Sequence, residues 1–364
     1  AFARHIHELK YSKIQTVSFA DANANAIRTD FAATKAPMPK FLGVKVLDLS
    51  VSELIRFIDW QAYYRSWEYK QDYRKLLGGL SIDTEADLIT ENGEKTASIP
   101  ENASEPAVSL YYDTVRMLKR MESEKLLGIK AVFGLFKAHR EGFNDVVLET
   151  EDGEHRFNFL RDQRDLSSRQ QANGSLADYI DVCDDAVGAM AINAGINLED
   201  TVRKFNDEGD IYSSMLVQNL SYRLAEAASA YVHYLIRTEY WGYSSEPLNV
   251  DDILSGKFVG IRPAIGYPSC PDHKAKLALW DVMKVDENIG LRITDGYMMS
   301  PVSAVCAYIF ANSDAKYVSN ECIMPDQLED YSGRTGTDMA ELEKLLRNHL
   351  GYIPEGAESN EDGS

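Results

Sequence analysis

The chain has 364 residues, of which 45% are apolar and 26% are charged, a balance that is ordinary for a globular protein. Its formal net charge of −19 repels nucleic-acid phosphates, and no basic run compensates for it, which argues against nucleic-acid binding. No apolar run approaches the roughly 20 residues that a membrane-spanning helix needs. The N-terminus also lacks the apolar stretch of a signal peptide. We therefore expect a soluble, cytoplasmic protein without a membrane partner.

The cysteines predict no metal site. Cys183, Cys270, Cys306 and Cys322 are far apart in the sequence and form no C-x-x-C pair. A structural zinc site usually shows such a pair, often with a histidine close by. Sparse cysteine also fits a reducing compartment. We expect four buried free thiols.

Both ends of the chain differ in composition from its middle. The first 40 residues carry no sustained hydrophobic period and include the small, polar run 21–25. This predicts an interdomain linker or N-terminal extension over 1–40, which either wraps over a domain or links two. Residues 354–364 are acidic and contain glycine, which is typical of a disordered tail. One large domain is expected between them, over 41–353.

The first half of that domain begins with a helix signal. Ser50 and Glu53 have capping-box spacing, which predicts a helix that runs through Trp60 toward Trp67. Residues 89–106 hold an Asn-Gly pair and two prolines and are interpreted as a surface loop. The elements expected next are a helix over 108–127 and a buried strand over 130–136.

The second half alternates strands with long helices. The acidic turn 151–154 lies between segments 146–150 and 155–159 and predicts a β-hairpin. A strand over 186–192 and a long helix over 212–240 follow, the latter from its helical spacing of apolar residues. Further short strands are expected over 291–293, 302–310 and 316–318, with two helices after them. No repeating βαβ pattern occurs, so we predict an α+β fold, a single large domain with a mainly antiparallel twisted β-sheet and long flanking helices.

Several common ligand motifs are absent from the sequence. It contains no G-x-G-x-x-G after a strand, no P-loop, no H-E-x-x-H and no G-x-S-x-G. The glycine-rich loop of Rossmann-type methyltransferases is missing as well. A nucleotide-like ligand would therefore have to bind through a different arrangement.

The segment 260–273 is the most informative part of the sequence. Three prolines within nine residues exclude a continuous helix or a central strand. Arg262 offers a planar, permanently charged fork suited to a carboxylate, and Gly266 permits close backbone approach. Tyr267 adds a flat aromatic face. The pattern indicates a stiff, extended loop that presents backbone amides, a guanidinium and a ring to one small ligand. The alternative is a structural loop whose arginine forms an ordinary surface pair.

These residues also carry a resemblance. The run Arg-x-x-x-Gly-Tyr-Pro-x-Cys-Pro at 262–271 is similar to the signature of the activation domain of cobalamin-dependent methionine synthase. Other segments that resemble this family follow its order along the chain: 57–60, 223–227, 240–243, 314–317 and 326–331. The likeness extends from about residue 42 to 352, and the segment before it resembles the linker that follows the cobalamin-binding domain.

The resemblance implies an S-adenosylmethionine site in a shallow groove. Arg262 would pair with the carboxylate of the ligand, and backbone groups of Ala264 and Gly266 would meet the adenine. Tyr267 would lie next to them, on the face presented to the corrin. No catalytic residue and no metal ligand is implied.

Three more residues are carried over from the family. Asp59 and Glu226 would bind polar groups of the ligand, its ammonium or its ribose hydroxyls, and Tyr317 would line the same site. Each has an ordinary structural alternative, a solvated helix residue for the two acids and a half-buried strand residue for the tyrosine. The sequence departs from the family at Gly256, where an acidic residue is expected six positions before Arg262; Asp251 or Asp252 could replace it.

The implied function is reactivation within methionine biosynthesis. The domain would bind S-adenosylmethionine and position its methyl group for reductive methylation of cob(II)alamin. The cobalamin-binding domain of the same polypeptide would hold that cofactor, and flavodoxin or another low-potential donor would supply the electron. The cofactor supplies the nucleophile, so no general base is required, and the isolated fragment should not turn over alone. The alternatives are a non-catalytic interaction module that has lost ligand binding and a separate corrinoid-protein reactivase.

Overall fold

The computed structural model describes residues 14–78 and 101–354, and one long β-strand organises its sheet. This strand, β2 (Gly128–Glu141), pairs along one edge with β5 (Asp185–Ile196) and along the other with β1 (Gly43–Leu49) and then β3 (Asp145–Thr150). β4 (Gly153–Asn158) extends the sheet beyond β3. All of these pairs are antiparallel, as predicted.

On the opposite side the sheet ends with β8 (Ala304–Ile309), so the order is β4-β3-β2-β5-β8, with β1 beside β2. A small two-stranded sheet joins β6 (Arg292–Ile293) to β7 (Met299–Ser300). The helices of the described ranges are α1 (Phe19–Ala24), α2 (Phe31–Thr34), α3 (Val51–Leu54), α4 (Trp60–Ser66), α5 (Tyr73–Leu76), α6 (Glu105–Ser123), α7 (Leu198–Asp207), α8 (Ile211–Leu235), α9 (Val250–Leu254), α10 (Lys276–Met283), α11 (Val285–Ile289), α12 (Pro325–Thr335) and α13 (Met339–Leu345). The α+β class is confirmed.

Helices cover both faces of the central strands. α8 and α6 pack on one face through side chains such as Leu220 and Leu224, and α10 and α11 pack on the other through Met283 and Val285. β5 is buried over almost its whole length for this reason. A strand covered on both faces needs apolar residues at consecutive positions, which explains its continuous apolar sequence. Each fully buried leucine in these layers contributes about 1.5–3 kcal/mol.

The predicted helix from Ser50 to Trp67 is wrong in its length. The capping box of Ser50 and Glu53 is present, but α3 ends at Leu54 and passes through one 3-10 turn into extended backbone at Ile58. Asp59 then caps a new helix, α4, by accepting a hydrogen bond from the backbone N–H of Ala62 at 3.0 Å. Phe57, Ile58 and Trp60 are all buried. Because consecutive residues of one helix point in different directions, the break allows each of these side chains to reach the core.

Three other sequence predictions need correction. Residues 316–318 are not in a strand, because the chain after β8 turns away from the sheet and binds the loop that contains Ser269. Of the predicted loop 89–106, residues 89–100 lie outside the described ranges, and Glu105 and Pro106 already form the first turn of α6. Cys183 is exposed, whereas the other three cysteines are buried; all four are free.

The N-terminal segment 14–40 lies on the surface of the domain. The backbone N–H of Val17 donates to the carbonyl of Gln163 at 2.9 Å, and the indole N–H of Trp241 donates to the carbonyl of Pro37 at 2.8 Å. Asn23 reaches a buried arginine, Arg161, whose Nε donates to its Oδ1 at 2.9 Å. These bonds hold the described part of the segment against the domain. Residues 1–13 and the predicted disordered tail 355–364 lie outside the described ranges.

Candidate functional site

The segment 261–265 runs antiparallel to β8 and covers the edge of the sheet. Ile261 and Phe310 exchange both backbone hydrogen bonds, at 2.9 and 3.0 Å, and Ala264 lies opposite Ala307. Pro263 has no N–H, but its carbonyl accepts a bond from the N–H of Tyr308 at 3.1 Å. Pro263 cannot donate a bond in return, and the loss of one ladder hydrogen bond is tolerated at the edge of a sheet. The proline-rich segment therefore forms one wall of a groove beside β8.

The backbone of Ala264 faces away from β8 and into this groove. The bonds to β8 are made by the neighbours of Ala264, namely Pro263 and Ile265. Its own N–H and C=O form no hydrogen bond within the described ranges, so both are available to a ligand. The N–H of Gly266 is used within the loop, because it donates to the carbonyl of Cys270 at 2.8 Å. Its φ of +100° is a conformation that glycine adopts without strain.

The groove has a volume of about 800 Å³, within the usual range for small-molecule sites. Its walls come from α8, the segment around α9, the loop 262–269, the start of α10, β8 and the segment 317–319. The predicted residues that line it are Glu226, Arg262, Ala264, Gly266, Tyr267 and Tyr317. Asp59 is not among the lining residues; it is exposed, and its Oδ1 caps α4.

Arg262 carries a positive charge that no carboxylate of the described ranges neutralises. Its guanidinium lies over the ring of Phe258, 5.6 Å from the centroid, and its backbone N–H donates to the hydroxyl of Tyr317 at 3.4 Å. Burial lowers the pKa of Arg262, and the charge of Arg237 lowers it further, while Tyr317 and Glu226 raise it. A guanidinium stays charged even after such a shift. The site therefore holds a partly dehydrated cation that favours an anion.

Arg262 is supported by a cluster formed by Phe258, Arg237 and His233. Arg237 is buried and lies over the same Phe258 ring at 4.7 Å, with its Nη1 donating to Glu246 at 3.2 Å. The ring of His233 packs edge-on against Phe258 at 5.0 Å. Burial first, then the charges of Arg262 and Arg237, hold the pKa of His233 well below its ordinary value. The histidine is therefore neutral, and because Glu246 pairs with Arg237, the positive charge of this wall comes from Arg262.

Comparison with known proteins identifies the family of the chain. Residues 50–336 match the family described as vitamin B12 dependent methionine synthase, activation domain. The chain belongs to this family. A crystal structure of the MetH reactivation domain bound to AdoHcy is also similar, with a TM-score of 0.82 and 30% sequence identity. The similarity covers 93% of this chain and 100% of that one, and the shared fold is the mixed helical and antiparallel architecture described above.

The activation domain surrounds its groove with exposed apolar side chains. Tyr267 is 63% exposed, Tyr317 59% and Met298 56%, and Leu254 is exposed beside them. Large apolar groups clustered at the mouth of a groove are typical of a surface that a partner or ligand covers. Within the described ranges, no helix of the domain is long and apolar enough to cross a bilayer.

The departure from the family pattern at Gly256 is not compensated nearby. Gly256 lines the groove, but Asp251 pairs with Arg74 at 3.4 Å and Asp252 with Lys257 at 3.8 Å. Neither aspartate is a lining residue. Glu226 is thus the acidic side chain among the groove's lining residues.

Sequence reasoning missed three lining residues of this activation domain. Phe258 was not considered, although it supports Arg262. His273 and Lys276 were not among the predicted site residues, although both line the groove. Their spacing of three residues, directly after the motif, is the signal that could have identified them, because it places two side chains on one face of a helical turn.

We expect Gly260→Ala to destabilise the activation domain more than Gly256→Ala. Both glycines have positive φ, +81° and +73°. A Cβ on Gly260 would lie 2.6 Å from the carbonyl oxygen of Phe310, whereas nothing lies within 4 Å of one on Gly256. The second change should cost only the backbone strain of about 1 kcal/mol, and the first at least about 3 kcal/mol. Urea denaturation of both variants measures this, and equal losses would contradict the assigned backbone of the groove wall.

Proposed function

We propose that the groove binds S-adenosylmethionine and presents its methyl group to cobalamin held by a neighbouring domain. The observation that carries this proposal is Arg262, a partly buried guanidinium without a carboxylate partner at the wall of an 800 Å³ groove. A ligand carboxylate would form charge-assisted hydrogen bonds with it. The similar MetH structure is bound to AdoHcy, a ligand of the same class as S-adenosylmethionine.

The other lining residues suit the remaining parts of this ligand. The free N–H and C=O of Ala264 offer one donor and one acceptor, the pair that an adenine edge requires. Glu226 places a negative charge near Arg262, where an amino-acid ammonium would lie beside its own carboxylate. Tyr317 fixes the backbone of Arg262 through its hydroxyl. The role of Asp59 stays a prediction, because this carboxylate does not line the groove.

The domain's part in the reaction is placement. Cobalamin, when bound by the neighbouring domain and reduced by one electron, supplies the methyl acceptor. The exposed rim of Tyr267, Met298 and Tyr317 would pack against that domain and exclude water from the groove mouth. Holding the methyl group in line with the acceptor needs no general base. The electron would come from flavodoxin or another low-potential donor; at a net charge of −19, long-range attraction to an acidic donor is disfavoured.

A reductive methylation assay tests the proposal. The chain is mixed with a cobalamin-binding domain of the same family loaded with cob(II)alamin, a low-potential reductant and methyl-labelled S-adenosylmethionine. Label should enter cobalamin only when all components are present. A Tyr267→Ala variant should transfer the methyl group at least about tenfold more slowly even at saturating S-adenosylmethionine, because it removes part of the docking rim. Transfer at the same rate without the chain would contradict the proposal.

Gly256 favours one alternative, a module that keeps the fold but has lost ligand binding. The acidic side chain that the family pattern has at this position is replaced by hydrogen, and no nearby carboxylate lines the groove in its place. Measured affinity for S-adenosylmethionine separates the two functions. A separate corrinoid-protein reactivase would show the same affinity but would act on a different cobalamin protein in the transfer assay.

A further inference from the structure

His273 lies directly beneath the Gly266 backbone at the floor of the groove. A Cβ built on Gly266 would meet the imidazole at Cε1, 2.5 Å away, and at Nε2, 2.9 Å away. The ring therefore occupies the space that a side chain at position 266 would need. His273 and Gly266 both line the groove. Position 266 thus favours glycine for two reasons: the backbone has a positive φ there, and the imidazole of His273 occupies the space that a side chain would need.

Lys276 fixes the orientation and tautomer of this imidazole. Its side chain is 1% exposed, and its Nζ lies 2.6 Å from Nδ1 of His273 and donates to the carbonyl of Tyr297 at 3.1 Å. Burial lowers the pKa of Lys276, while Cys306, Cys270 and Asp272 raise it. In its ammonium form the lysine has hydrogens to donate and no lone pair, so Nδ1 is then the acceptor. In a neutral imidazole the proton then resides on Nε2.

The surroundings of His273 keep its imidazole neutral. Burial lowers the pKa of His273, and the charges of Lys276 and His349 lower it further. Within the described ranges, Nε2 has no protein acceptor. The Nε2–H of His273 is therefore available as a hydrogen-bond donor at the groove floor, and the contact with Lys276 fixes the orientation of the ring.

The position of this donor along the groove distinguishes it from Arg262. Ile261 and Ala264 lie opposite Phe310 and Ala307 of the β8 edge, and the chain turns at Gly266, so Arg262 and Gly266 lie at different ends of this groove wall. A ligand whose carboxylate meets Arg262 therefore places its opposite end near Gly266 and His273. In S-adenosylmethionine the opposite end is the nucleoside, whose ring nitrogens and ribose oxygens are acceptors.

We propose that His273 is a ligand-binding residue that donates a hydrogen bond from Nε2 to the nucleoside, and that Lys276 is the positioning residue that holds it in this tautomer. The proposal rests on the proposed S-adenosylmethionine site and extends it to a residue pair at the nucleoside end. Arg262 and His273 then bind the two ends of one ligand independently, the carboxylate and the nucleoside.

Affinities for three ligands test this division. His273→Leu should weaken binding of S-adenosylmethionine and of adenosine by about tenfold each, the loss of one hydrogen bond, and leave methionine binding unchanged. Arg262→Ala should weaken methionine and spare adenosine. His273→Gln should retain most of the nucleoside affinity, because its amide N–H can replace the Nε2 donor. Unchanged adenosine affinity in His273→Leu would overturn the proposal.

Nuclear magnetic resonance of ¹⁵N-histidine provides a readout that does not depend on a folded variant. In the native chain His273 should show the Nε2-protonated tautomer, and its Nε2 resonance should move when adenosine or S-adenosylmethionine is added. Lys276→Met should produce a mixture of tautomers. An Nε2 signal that is unaffected by saturating ligand would sink this inference alone, whereas a native chain that binds no S-adenosylmethionine would sink the proposed function.

Discussion

Replacement of Arg262 by alanine is expected to weaken S-adenosylmethionine binding by about 10- to 150-fold. The guanidinium is partly buried, lacks a carboxylate partner in the described ranges and is held over Phe258. Hydrogen bonds to charged groups contribute about 1.5–3 kcal/mol, which corresponds to this range. Arg262→Lys should recover only part of the loss, because an ammonium cannot form the two parallel bonds of a guanidinium with a carboxylate. Isothermal titration of each variant gives the ratios.

Arg203→Ala is the matched control for this substitution. Arg203 is exposed on α7 and pairs loosely with Asp200 at 3.4 Å, so its loss removes the same charge without touching the groove. Its affinity for S-adenosylmethionine should equal that of the native chain. Equal affinity in Arg262→Ala would show that the ligand carboxylate binds elsewhere.

Asp178→Asn is expected to lower the free energy of unfolding by about 3–5 kcal/mol. Asp178 and Arg161 are fully buried and form two hydrogen bonds of 2.7 Å each. Arg161 also donates to Asn23 of the N-terminal segment and to Asn144. Removing the negative charge leaves an arginine buried without compensation, which costs far more than the pair itself contributes. Urea denaturation measures the change.

Glu124→Gln is the control for the buried pair. Glu124 pairs with Arg120 at the end of α6, where both side chains are exposed. Water screens such a pair, so its loss should cost less than about 0.5 kcal/mol. If both substitutions cost the same small amount, the buried network does not anchor the N-terminal segment as described.

The parts of the fold that short-range signals determine could be predicted from the sequence. The acidic turn 151–154 correctly placed the hairpin of β3 and β4, and apolar spacing placed α8. β1 was missed because Val44 and Val46 lie on its exposed face while Leu47 lies on the inner one. Apolar residues on both faces remove the alternation by which a strand is recognised.

The candidate site was predictable in its residues but not in its geometry. The proline-rich segment and its arginine were visible in the sequence, and the family resemblance added Glu226 and Tyr317. That Ala264 keeps both backbone groups free, whereas Gly266 does not, depends on the register against β8, more than 40 residues away. Long-range pairing of this kind leaves no local signal. The contact between His273 and the backbone of Gly266 likewise depends on how the segment before α10 lies under the loop.

The most direct test of the proposed site is an isothermal titration of the native chain with S-adenosylmethionine. We expect saturable binding with one site per chain, in competition with AdoHcy. Absence of binding at millimolar ligand would contradict the proposal that this groove is a competent S-adenosylmethionine site, and would favour the module that has lost ligand binding.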